Sequence, residues 1–181
     1  MLFRSQDCAL SFEQAHYLDG FAWPDRKFRF KPDWAGMGES GSQMPALPDH
    51  FDVIDNASQE RPFRLITAPA RTFLNSTFTE TPGSLKREKR PTALINPQDC
   101  ADLGLVDGDR VALGNARGEI LAHAKAKDGQ QPGVVVLEGI WPNRYFEGGV
   151  GANSLTSADP GFPNGGAVFH DTSVWLRKMQ S

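Results

Sequence analysis

Five short β-leaning runs, FRLITA (63–68), TALI (92–95), RVALGN (110–115), EILAHAKA (119–126) and GVVVLEG (133–139), follow one another with turn residues between them. Their spacing constrains the fold most, because parallel strands of a doubly wound sheet each need a long helical crossover. INPQDCADLGLVDGDRV contains both ends of a helix. Asn96 suits the N-cap, Pro97 the first helical position, Asp99 the first turn, and Gly104 a left-handed C-terminal closure. A short helix is expected over about Pro97 to Leu103, with turns at DGD (107–109) and ARGE (116–119). Strand, short helix, strand, hairpin and strand close as a compact barrel. The expected fold is therefore mainly β, a barrel with short helices.

Residues 1–60 have a different texture. FAWPDRKFRFKPDWAGMGESGSQMPALPDHFDV mixes aromatics with proline and glycine and sustains no period. It reads as an irregular arm that packs on the barrel (61–181) or on protein outside this chain, with Phe21, Trp23, Phe28, Phe30 and Trp34 as its apolar contacts. After Trp141 a long Gly, Asn, Ser and Pro-rich stretch precedes a closing strand within AVFHDTSVWLRK, and loops of that length tend to form sites.

The formal net charge of −3 argues against a nucleic-acid or anionic-membrane surface. No run approaches the roughly 18 apolar residues of a membrane span. The start has no secretory pattern, so a cytoplasmic setting is expected. Cys8 and Cys100 alone support neither a disulfide framework nor a cysteine-held metal or iron–sulfur cluster.

GMGESG (36–41) spells a dinucleotide fingerprint but neither follows a strand nor opens a helix, so it reads as a loop. LKREKRP (85–91) is the one dense basic run, and Glu88 interrupts it; it reads as a solvated face. His16, His50, His123 and His170 show no ligand spacing and receive no metal or catalytic role. The stretch TAPARTFLNSTFTE (67–80) is different. Thr67, Arg71, Asn75, Ser76 and Thr77 offer a guanidinium, an amide and three hydroxyls just after a strand. Such donors suit a pyrophosphate. The same composition also serves ordinary turns.

The ordered pieces LITAPARTFLNSTF, PTALINPQDCADLGLVDGDRVALGNARGEI, PGVVVLEGIWPNRYFEGGVGANSLTSADP and HDTSVWLRK resemble the C-terminal molybdopterin dinucleotide-binding domain of the large molybdenum or tungsten oxidoreductases. These are enzymes related to dimethyl sulfoxide reductase, nitrate reductases and formate dehydrogenases. The resemblance covers about Phe63 to Lys178 and implies a six-stranded double-psi β-barrel that grips one molybdopterin guanine dinucleotide. Carried over by position, it implies cofactor contacts from Thr67, Arg71, Asn75, Ser76, Thr77, Asn96, Asp99, Phe146, Asn153 and Thr156. The family's last-strand basic position falls on Trp175 here, and Arg177 lies two residues on. The metal, its protein ligand and any iron–sulfur cluster would belong to the remaining domains of a parent oxidoreductase, the implied partner. This chain alone would then not be catalytic. The alternative from another class is a free-standing double-psi barrel acting as a binding or adaptor module.

Overall fold

The structure is a computed structural model and describes residues 11–21, 23–42, 44–47, 49–50, 52, 54–161 and 166–180. Two units divide at residues 50 and 51. Cys8 lies outside the described residues, as does the side chain of His16.

The first unit holds a π-helical turn, Gln14–Leu18, and a 3-10 segment, Trp34–Gly41, kinked at Gly38. The rings of Phe21, Phe28 and Phe30 meet edge to face at 5.2 and 4.8 Å. Arg29 pairs with Asp25 and lies over Trp23. GMGESG falls within the 3-10 segment, where among the described residues no strand leads directly into it and no α-helix directly follows it.

In the second unit, β1 (Phe63–Ala68), β2 (Thr92–Ile95), β3 (Arg110–Asn115), β4 (Gly118–Ala126), β5 (Val134–Glu138) and a last strand, Thr172–Lys178, close a barrel. The two-residue strands β6 (Pro160–Gly161) and β7 (Gly166–Ala167) pair beside it, so the last strand is β8. Around the barrel the order is β1, β5, β2, β4, β3, β8. The pairs β1·β5 and β2·β4 are parallel and the other four are antiparallel.

This order has an internal two-fold relation. Exchanging β1, β2 and β3 for β4, β5 and β8 turns the parallel pair β1·β5 into β4·β2, and the antiparallel pair β3·β4 into β8·β1. The pairs β2·β5 and β3·β8 map onto themselves. Two interlocked halves of this kind make the double-psi β-barrel expected from the resemblance.

Alternation along each strand fills the interior. On β4, Ile120, Ala122 and Ala124 point inward while Leu121, His123 and Lys125 point out. Ile95, Leu113, Val135, Leu137 and Val174 are fully buried beside the small Ala93, Ala122 and Ala124. This mixture of sizes fits the narrow lumen of a small barrel. Each large aliphatic chain contributes about 1.5–3 kcal/mol by leaving water. Gly114 on β3 is required by its neighbour on β8, since a Cβ there would stand 2.2 Å from the Trp175 ring.

The expected helix is α2, Pro97–Asp102, with Asn96 accepting from the Gln98 amide at 2.7 Å and Gly104 at φ 63. An earlier helix, α1 (Pro82–Glu88), was not expected, although Thr81 caps it and Pro82 opens it. Most of the basic run belongs to this helix and its exit. Asp55 also belongs to this second unit: its carboxylate receives two hydrogen bonds from Arg117, at 2.6 and 2.8 Å, and its carbonyl accepts from Ser173.

Candidate functional site

Parallel neighbours β1 and β5 run together from Arg64 opposite Val134 to Ala68 opposite Glu138, and the Gly139 amide extends the ladder by donating to the Ala68 carbonyl at 2.7 Å. Beyond that point the two chains part. A cavity of about 540 Å³ opens there, lined by Thr67, Asn75, Gly139, Asn153, Thr156 and His170 among others, and by no Asp or Glu. Diverging ends of parallel strands are a common place for ligands in open α/β sheets, and the same geometry arises here in a barrel.

The first loop, 69–81, is held by its own side chains. Leu74 and Thr77 exchange backbone hydrogen bonds across a tight turn, with Asn75 at φ 50 at its tip. Asparagine tolerates that left-handed conformation better than most residues. The buried Thr79 hydroxyl donates to the Ser76 carbonyl, Ser84 Oγ donates to the Thr72 carbonyl, and Thr72 Oγ1 donates to Glu88 at 2.7 Å. Phe73 fills the space beneath Gly139 and meets Trp141 edge to face at 5.1 Å, and Trp141 meets Tyr145 in the same way at 5.2 Å. Tyr145 donates to Glu80, which also pairs with Arg144. Both loops around the cavity are thereby tied to each other.

The second loop carries Asn153 on a 3-10 turn, Ala152–Leu155. Asn115 Nδ2 donates to the Leu155 carbonyl at 2.8 Å and Arg117 to the same oxygen at 3.3 Å, which fixes the turn on the β3–β4 hairpin. Ala152 and Leu155 are buried, so Asn153 between them faces outward.

Four of the sequence-predicted residues therefore line one cavity: Thr67, Asn75, Asn153 and Thr156. Arg71, Ser76 and Thr77 share the first loop without lining the cavity, and the exposed Arg71 guanidinium has no partner among the described residues. Phe146 is buried in the core beneath the second loop. Asn96 and Asp99 sit at the other end of the barrel, because Ile95 is opposite Val135 at the start of β5. Four residues of extended β5 separate the two ends by about 13 Å. At that far end Asn96 Nδ2 donates to the Gln130 carbonyl at 2.6 Å, and Asp99 accepts from the Gly133 amide at 2.8 Å. Their polar atoms cap α2 and clasp the loop that enters β5.

His170, Phe169 and Ser157 also line the cavity, and sequence reasoning missed them. Since Leu65 pairs with Thr172, the residues just before β8 arrive beside Thr67. Trp175 and Arg177 lie farther along β8, and Arg177 is committed to Glu119 and to the face of Trp175 at 4.6 Å. The position of His170 before the last strand was the available signal. Among the described residues no three His, Cys, Asp or Glu side chains gather as a metal site. Cys100 is buried, and that burial pushes its thiol up from the usual range. No described helix is long and apolar enough to cross a membrane.

Residues 63–172 match the family described as "Molydopterin dinucleotide binding domain". The chain belongs to this family. The molydopterin dinucleotide binding domain match contains both cavity loops and both helices of the barrel. A relative described as a probable oxidoreductase, YoaE of Bacillus subtilis, is 35% identical over 136 residues, which is 75% of this chain and 20% of that protein. Dimethyl sulfoxide reductase DmsA of Escherichia coli is 32% identical over 148 residues, 78% of this chain and 18% of its own length. The chain thus spans about a fifth of these relatives. Among solved structures, acetylene hydratase from Pelobacter acetylenicus shares the fold with a TM-score of 0.66 and 17% identity, over 88% of this chain and 24% of that one.

Proposed function

We propose that this molydopterin dinucleotide binding domain holds one molybdopterin guanine dinucleotide in the cavity at the β1/β5 end, as part of a larger cytoplasmic molybdenum or tungsten oxidoreductase. The observation that carries the reading is the convergence of Thr67 and Asn75 with Asn153 and Thr156, from loops far apart in sequence, on one cavity. The donor set fits the group. Hydroxyls and carboxamides suit phosphate oxygens and the polar edges of pterin or guanine rings, and no carboxylate in the lining repels an anion.

When bound, the cofactor supplies two-electron redox chemistry at its metal. This chain's residues bind and orient. Thr67 and Thr156 would donate to phosphate oxygens, Asn75 and Asn153 would pair with ring edges, and the exposed Arg71, Ser76 and Thr77 would add donors from the first loop. Asn96, Asp99 and Phe146 would act at one remove, by holding the loops and the barrel in shape. The metal's protein ligand would come from the other domains, and so would substrate recognition and any iron–sulfur cluster. A sulfoxide or nitrate reductase type of parent reaction accords with the names of the relatives.

Guanosine diphosphate titrated into the chain, followed by amide NMR shifts, tests the reading. Shifts should cluster at Thr67, Asn75, Gly139 and Asn153, and Asn153→Ala should weaken binding about fivefold to tenfold for the loss of one hydrogen bond of about 1 kcal/mol. No saturable shift, or shifts confined to the α2 end, would overturn it. In the parent enzyme, Asn153→Ala should lower retained molybdenum without changing the barrel's thermal midpoint.

A further inference from the structure

A second concavity lies on the outer face of the barrel, away from the dinucleotide cavity. There Thr92, His123, Lys125 and Glu138 point out from β2, β4 and β5, in the alternation that sends Ala93, Ala124 and Leu137 inward. The exit of α1 roofs this face with Arg87, Lys89 and Arg90, enclosing about 280 Å³.

Three observations single it out. First, Arg87, Lys89, Arg90 and Lys125 all line the cavity, and none has an ion pair or a side-chain hydrogen bond among the described residues. Elsewhere on the barrel Arg64, Arg110, Arg117, Arg144, Arg177 and Lys178 each have a carboxylate partner, while Arg71, Lys86 and Lys127 have none among the described residues. Two of the three carboxylates in the lining are held in place by neutral donors and keep their charge: Glu88 accepts from Thr72 and Asp107 from the Ala126 amide, each at 2.7 Å. With Glu138 they make three carboxylates, so the four cations exceed the negative charge of the lining by one.

Second, the turn that presents the cations is strained. Lys89 has φ 66 and ψ −56, and the Arg90 amide donates to the Glu88 carbonyl at 2.7 Å. That is a three-residue turn of the rare, unfavourable hand, which glycine would adopt far more easily. A lysine stands there instead. Third, the Nδ1 atom of His123 is buried without a hydrogen-bond partner. Most buried polar atoms have one.

We propose that this outer-face cavity binds a phosphate group, either as the free ion or as the head of a small phosphomonoester. Two guanidinium and two ammonium groups supply the cationic donors that a tetrahedral dianion requires. The volume suits a compact anion and is small for a nucleotide or a peptide segment. The site uses none of the residues that line the dinucleotide cavity, so either can fail without the other.

The test is a titration of the 181-residue chain with inorganic phosphate at constant ionic strength, observing the His123 ring nitrogens and the Lys125 amide. Constant ionic strength removes general screening. Saturable shifts at both positions are expected, with binding weakened at least tenfold in Lys125→Ala and in Lys89→Gly. The glycine variant relieves the strained turn, so its folding is secure and a loss of binding reports the lost ammonium. A parallel titration with glycerol 3-phosphate identifies the source: tighter binding than phosphate assigns a metabolite, and equal binding assigns the ion. A response matched by chloride, variants that bind like the parent chain, or tighter binding of an oligoglutamate peptide would each overturn the proposal.

Discussion

Replacing Gly139 by alanine would put a methyl group 2.3 Å from the Phe73 ring, at a residue with φ +77. Both effects act at the junction of the two loops. The variant should lose about 2–3 kcal/mol of stability, read from its urea midpoint, and should also disturb the cavity. Two titrations belong to the same scale. Burial first, and then the nearby Arg90, hold the His123 imidazole below its ordinary value of 6.5, while the Pro91 backbone and then Glu147 oppose the shift. The unfolded chain then binds a proton that the folded one resists, so stability should fall as pH drops below 6.5 and level off beneath the folded value. His123→Gln should remove that component. Asp55 shifts downward because of its hydrogen bonds from Arg117, against a smaller opposing effect of burial. Its contribution is present above the ordinary carboxylate value of 3.8 and is lost as pH falls through the lower folded value. Asp55→Asn should cost about 1 kcal/mol at neutral pH and flatten that acid limb in urea titrations.

The elements differ in how openly the sequence announces them. α2 is punctuated at both ends by Asn96, Pro97 and Gly104, so it was legible from local chemistry alone. The signals of α1, Thr81 and Pro82, were present too, but Gly83 and the charged run that follows obscured a seven-residue helix. Such a short helix has little propensity of its own and is held by Ser84 and Leu85 against the barrel. Asn96 shows the limit of reading a residue by motif position. Its polarity was visible, whereas its place at the opposite barrel end depends on β2 running antiparallel to β5. Asn96→Ala should cost about 1–2 kcal/mol through the lost cap. It should leave the nucleotide shifts at Thr67 and Asn153 in place, which the same NMR titration would show.

At the scale of the molecule, every residue of the core cluster lies between Leu65 and Leu176. A chain of residues 51–181 should therefore fold alone, with cooperative unfolding and the same guanosine diphosphate shifts; calorimetry and NMR would check it. The closed barrel was legible because alternation and turn chemistry are local and because several motifs occur in a known order. The cavity was legible only in part. Thr67, Asn75, Asn153 and Thr156 stand in polar loops, whereas His170 and Phe169 reach the cavity because β8 runs antiparallel beside β1. No periodicity encodes that meeting.

The place of β8 between β1 and β3 also governs how the barrel is made. During synthesis β1 emerges first and finds neither neighbour, since its partners are β5 and β8. One edge stays open until residues 134–138 emerge, and the other until residues 172–178 clear the ribosome. Long-range pairing of this kind slows folding and leaves strand edges exposed meanwhile. The nascent domain is thus most prone to aggregation just before its last strand is released, and chaperone demand should peak there.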